Sequence, residues 1–165
     1  MIPETQINEF VERLKTVAGT NLESVLLYGS AASDEFHAEY SDVNVLCIVR
    51  ELSASALHAL APAVNWWTKS KHPAPLIFTW EELNRSLDVF PIELIDMQRR
   101  HRVLHGADVL KTVKVPLDLH RVQLEHDLRT KLLLLRQHYL SADGDNKKVM
   151  HLMLGSVSSF ITLFR

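Results

Sequence analysis

Two short aliphatic runs, joined by a glycine-serine turn and a polar segment, constrain this chain more than any other feature in it. Residues 24–49 read SVLLYGSAASDEFHAEYSDVNVLCIV. Residues 25–28 and 43–49 are brief, aliphatic or β-branched and bounded by turn formers, which is the pattern of buried strands. Gly29 follows the first run directly, and its missing Cβ lets a backbone or a phosphate come close. Side chains alternate along a strand, so Asp42 and Asn44 share one face while Val43 and Val45 take the other. Two oxygen-bearing side chains at a strand's start, opposite a glycine-serine turn, suit a hard cation carrying a phosphate. Gly29-Ser30 alone reads as an ordinary turn; its pairing with Asp42 is what singles it out.

Upstream, Ile7, Phe10, Val11, Leu14 and Val17 are spaced three and four apart, predicting an amphipathic helix that stops near Gly19. Residues 31–36 are expected to form a short helix whose first amides lie beside Ser30, where free N–H groups attract phosphate oxygens. Residues 53–72 predict a helix capped by Ser53, with Pro62 kinking or splitting it. Trp66 and Trp67 could stack on a base, but tryptophan at this spacing is more often core. Pro73 and Pro75 mark a turn, residues 76–79 a short strand, and Thr79 caps a brief helix with Glu82 completing a capping box.

Residues 88–98, DVFPIELIDMQ, read as the next strand, with Pro91 near its start or on an edge. Glu93 then lies among Ile92, Leu94 and Ile95, where a carboxylate must be paired, protonated or bound to a metal. Pairing with Arg99 or Arg102 and membership of a metal site are both open. Residues 101–105 predict another strand, and Arg99, Arg100 and Arg102 give this segment a basic edge that meets either a triphosphate or solvent.

From Asp118 no further strand signal appears. Leu124, Leu128, Leu132, Leu135 and Tyr139 make one helical stripe, and Val149, Leu152, Met153, Val157, Phe160 and Ile161 make a second. A short loop between them predicts a helical hairpin. The second stripe is still running at Arg165, so either a further segment or a partner subunit is expected to cover it. The chain thus divides into residues 1–115 and a hairpin at 116–165, the latter either a unit in itself or the start of a helical domain.

Composition excludes several classes. A net charge of −2 lacks the clustered basic surface that nucleic acid demands. A single cysteine, Cys47, rules out a disulfide framework and fits a reduced, cytoplasmic setting. The first residues carry neither the basic nor the apolar region of a signal peptide. His101 and His105 are four apart, but in an extended segment, which does not support zinc.

Gly29-Ser30, eleven intervening residues, and then Asp42-Val43-Asn44 inside an aliphatic run resemble the signature of the nucleotidyltransferase fold, shared by DNA polymerase β and the aminoglycoside nucleotidyltransferases. In that family a small-residue turn precedes Asp-x-Asp or Asp-x-Glu; here Asn44 departs from the pattern. The resemblance implies an α+β fold, with a small mixed sheet flanked by helices. It implies Mg²⁺-dependent transfer of a nucleoside monophosphate from an NTP, ATP by preference, to a hydroxyl on a small molecule or macromolecule. Gly29 and Ser30 would hold phosphates, and Asp42, Asn44 and Glu93 would be the metal-binding and catalytic residues, Glu93 being the third acid on a neighbouring strand and Asp96 its substitute. Because an amide is a neutral ligand, Asn44 also admits a second expectation. In it the domain has lost transfer and acts in nucleotide binding or protein interaction, as in a toxin–antitoxin component, with the C-terminal helices meeting a partner or a second copy.

Overall fold

The computed structural model of the protein describes residues 3–33, 36, 41–118 and 120–163. Residues 34 and 35 of the expected short helix lie outside that set. Among the described residues, six α-helices and four strands follow one another as α1 (Glu4–Ala18), β1 (Leu22–Tyr28), β2 (Asn44–Val49), α2 (Ala54–Lys69), β3 (Leu76–Thr79), α3 (Trp80–Arg85), α4 (Pro91–Arg99), β4 (His101–Gly106), α5 (His120–Ser141) and α6 (Asn146–Leu163). The strands form one mixed sheet in the order β3-β2-β1-β4. β1 runs antiparallel to β2 and β4, and β2 runs parallel to β3.

The unbroken aliphatic character of β1 and β2 follows from burial on both faces. Val25, Leu27, Val43, Val45, Cys47 and Val49 belong to a core completed by Ile7, Phe10 and Leu14 of α1 and by Leu60, Ala63 and Trp67 of α2. Leu26, Leu46 and Ile48 alternate onto the opposite face and are fully buried there. Trp67 stacks on Phe10 with ring centroids 4.5 Å apart, and its indole N–H donates to the Pro73 carbonyl at 2.9 Å. It is therefore a core residue with its polar atom satisfied. The half-buried Trp66 carries the Arg13 guanidinium 4.4 Å above its ring.

Local signals were obeyed where they concern caps. Ser53 accepts from the Ala56 N–H, and Thr79 and Glu82 form the reciprocal capping box of α3. Of the two outcomes expected at Pro62, the split does not occur: α2 runs through it. Pro62 and His58 both lie on the exposed side, so water can meet the carbonyl that the missing proline N–H leaves unpaired. Residues 88–98 are not a strand: α4 spans Pro91–Arg99, with Pro91 in the first helical position, which its fixed φ favours. Helical periodicity buries Ile92, Leu94 and Met97 and turns Glu93 out to solvent. The burial cost inferred for an extended Glu93 does not arise.

The chain forms two compact units, one comprising Met1–Leu87 and Met97–Lys114, the other Asp88–Asp96 and Val115–Arg165. In the second, α5 and α6 pack on each other. The turn between them passes through Asp143 and Gly144, both at positive φ, and Asp145 accepts from the Lys147 and Lys148 amides at 2.8 and 3.3 Å. Arg129 pairs with Glu125 at 2.7 Å on the polar side of α5. Much of the apolar stripe stays uncovered: Leu132, Tyr139, Met153, Val157 and Ile161 are 41 to 61% exposed. Among the described residues no helix is long and apolar enough to cross a membrane.

Truncating Trp67→Ala removes the largest fully buried side chain and should lower stability by about 3–5 kcal/mol in a urea titration. Burial pushes the Cys47 thiol up to about 12, so the native protein should resist alkylation at pH 8 and react only as fast as it unfolds.

Candidate functional site

Register brings the chemistry-bearing residues to one edge of the sheet. Tyr28, the last residue of β1, pairs with Asn44 on β2 and with His101 on β4. Because β3 is parallel to β2, the loop ahead of β3 opens on the same edge. Gly29 leaves β1 at φ +77° and starts a single 3-10 turn, Gly29–Ala32, held down by the buried Ala31. Of the short helix expected over residues 31–36, residues 31 and 32 fall in this turn and Ser33 is extended. A Cβ on Gly29 would sit 3.6 Å from the Asn44 amide nitrogen, an ordinary contact, so the left-handed backbone is what asks for glycine. The Gly29 N–H donates to the Arg100 carbonyl at 3.0 Å. The Ser30 carbonyl accepts from the Ser33 amide at 3.1 Å and the Ser33 hydroxyl at 3.2 Å. Burial pushes the Tyr28 phenol up to about 12, leaving it neutral beside the turn.

Asp42 stands exposed just ahead of β2, Val43 is buried and Asn44 half-buried. The expected alternation is realised, and Asn44 reaches the glycine turn. The third acid is another matter. β3, hydrogen-bonded beside β2, reads Leu76-Ile77-Phe78-Thr79, and β4 reads HRVLHG. Glu23 is the one carboxylate within the four strands. It sits near the start of β1, away from the turn, with Arg50 at 3.4 Å. Glu93, expected on a neighbouring strand, lies in the exposed first turn of α4, and Asp96 lies on the same helix. Glu93 and Asp96 belong to the second compact unit, Asp42 and Asn44 to the first. Arg102, one candidate partner for Glu93, forks onto Glu4 instead, at 2.8 and 2.9 Å. Among the described residues, no three His, Cys, Asp or Glu are grouped to hold a metal.

Two histidines stand at this edge: His72, assigned no role from the sequence, and His101, weighed there only as a zinc ligand. His72 stacks on Trp67, centroids 4.0 Å apart, with Nε2 3.1 Å from the Gln6 side-chain oxygen. Burial lowers its pKa below the ordinary value, while the Asp42 carboxylate pulls it upward. His72 precedes Leu76 by the same four residues that separate Asp42 from its parallel partner Leu46. That symmetry becomes a signal only once the β2–β3 pairing is known. His101 is buried to 8% exposure, with Nε2 2.9 Å from Asp108 Oδ1. Nδ1 lies 3.0 and 3.1 Å from the Met97 and Gln98 carbonyls. Burial pushes the Asp108 carboxyl upward, but hydrogen bonds from Lys111 and His101 outweigh it and hold the group below its ordinary value.

No family model matches the chain, and no curated protein matches it. Solved structures do. Spectinomycin adenyltransferase AAD(9) from Enterococcus faecialis, with ATP and spectinomycin, is similar over 82% of this chain and 68% of that one, with a TM-score of 0.59 and 16% identity. A tri-AMPylated HEPN toxin in complex with MNT antitoxin from Shewanella oneidensis matches over 83% of this chain and 98% of that one, at 12% identity and a TM-score of 0.41. A toxin–antitoxin with AMP-PNP matches over 81% and 98%, at 11% identity and a TM-score of 0.42. The last two likenesses are too loose to carry argument. The first shows the fold alone: the chain has the α+β nucleotidyltransferase fold of that adenyltransferase.

Proposed function

We propose that this domain binds a nucleoside triphosphate, ATP by preference, at the Gly29–Ser30 turn and has lost the power to transfer its nucleotidyl group. The observation that carries the second half is the composition of the strands beside Asp42. The second position of the pair is the neutral Asn44, and β3 presents only Leu76, Ile77, Phe78 and Thr79. Nucleotidyl transfer rests on positioning and on neutralising developing charge, and removing one such electrostatic group costs about 10²–10³ in rate.

The donor set does not fit a resident pair of Mg²⁺ ions. Among the described residues, Asp42 is the one carboxylate at the start of β2, and the Asn44 amide oxygen beside it adds no charge. What the chain's residues offer a triphosphate is a left-handed glycine that admits close approach, the Ser30 hydroxyl, and the Asn44 amide beside them. The Gly29 N–H is committed to Arg100, so the turn is held in shape before any ligand arrives. The fold shared with an adenyltransferase bound to ATP supports the nucleotide half of this reading. The competing reading keeps Mg²⁺-dependent transfer to a hydroxyl acceptor, with Asp42, Asn44 and Glu93 as ligands. Soluble partners for either role include a hydroxyl-bearing acceptor, a toxin or antitoxin, or a second copy meeting the C-terminal helices.

The test pairs calorimetric ATP titration with a pyrophosphate-release assay in Mg²⁺. The unmodified chain should bind ATP and release no pyrophosphate. Leu76 pairs with Leu46 on Asn44's face of the sheet and is 40% exposed, so it can take a carboxylate without burying one. Asn44→Asp combined with Leu76→Glu should gain pyrophosphate release by about 10²-fold or more over background. Release by the unmodified chain that Asp42→Asn abolishes would return the transferase reading, and absence of ATP binding would sink both.

A further inference from the structure

The Gly29 turn hangs from a carbonyl that belongs to a different element, and the histidine that follows that carbonyl in sequence is bonded on both sides of its ring. Arg100 connects the end of α4 to β4, and its carbonyl accepts the Gly29 N–H at 3.0 Å while its own N–H donates to the Met97 carbonyl at 3.3 Å. The next residue, His101, folds its ring back over this connection. Nδ1 faces the carbonyls of Met97 and Gln98 at 3.0 and 3.1 Å. On its other side, Nε2 meets Asp108 Oδ1 at 2.9 Å. Asp108 is itself fixed, since it caps the 3-10 turn Val109–Lys111 and pairs through Oδ2 with the Lys111 ammonium at 3.1 Å. Gln98 ties the same two segments together, donating to the Leu110 and Val113 carbonyls at 2.8 and 2.9 Å.

We infer that His101 and Asp108 are positioning residues for the Gly29–Ser30 turn, acting through the Arg100 carbonyl. The ring spans the α4–β4 connection and anchors it to a capped turn beyond β4. The carbonyl then points at Gly29 rather than at solvent. A nucleotide-binding turn needs such support, because a site held by a loop is only as well formed as the residues behind it. Gly29 is left-handed and Ser30 lies in a four-residue 3-10 turn, so neither has a long element of its own to lean on. The consequence for affinity rests on the nucleotide-binding reading; the mechanical link does not.

The link is tested by amide hydrogen exchange, followed residue by residue by NMR in the unmodified chain, in Asp108→Asn and in His101→Gln. Asp108→Asn is nearly isosteric at a side chain 21% exposed, so it keeps the fold even where a change at the buried ring does not. Protection of the Gly29 amide should fall about tenfold in Asp108→Asn, while the Leu46 and Ile48 amides at the centre of β2 keep their protection. ATP affinity, read by calorimetry, should weaken by a similar factor. Unchanged Gly29 protection overturns the inference, as does a uniform loss across β2, which would mark a general structural role. A normal exchange response in a chain that binds no ATP refutes the nucleotide reading alone and leaves the link standing.

Discussion

Everything at the candidate site depends on how β1 ends. Its last residue, Tyr28, pairs with Asn44 on one side and His101 on the other. The residue that follows has its N–H bound to Arg100. Antiparallel pairing therefore delivers the turn after β1, the start of β2 and the start of β4 to a single edge of the sheet. The parallel β2–β3 pair adds the loop carrying His72. A slip of one residue between β1 and β2 would move Asp42 and Asn44 to the helix-covered face. The complete burial of Val43, Val45 and Cys47 against α1 and α2 resists that slip.

The residues at this edge are not what holds the fold together. Asn44 and Leu76 carry no charge, and neither sits in the core built by Phe10, Trp67 and the odd-numbered residues of β2. The sheet therefore does not depend on which side chains stand at those two positions, and fold and site chemistry are separable. The C-terminal hairpin is organised on the opposite principle. Its helices pack on each other yet leave leucines, methionines and a tyrosine half in water.

Much was legible because it rests on local rules. The strands at residues 25–28 and 76–79, the Ser53 cap, the Thr79–Glu82 capping box and the two C-terminal helices each follow from short-range periodicity or from a side chain bonding its own backbone. The failures have local causes as well. The run PIELID has no period that separates a buried strand from a helix beginning at proline. Reading it as extended turned an exposed glutamate into a buried one, and from there into a metal ligand.

By itself, then, the order of residues determined the glycine-serine turn, the face shared by Asp42 and Asn44, and the helical hairpin, because alternation and capping act over a few residues. Only the tertiary structure decided that β3, a strand whose four residues include no carboxylate, lies beside β2. It alone brought His72 under the influence of the Asp42 charge and His101 onto Asp108. Those facts depend on pairing between segments dozens of residues apart, which burial of the whole sheet selects and no local pattern records.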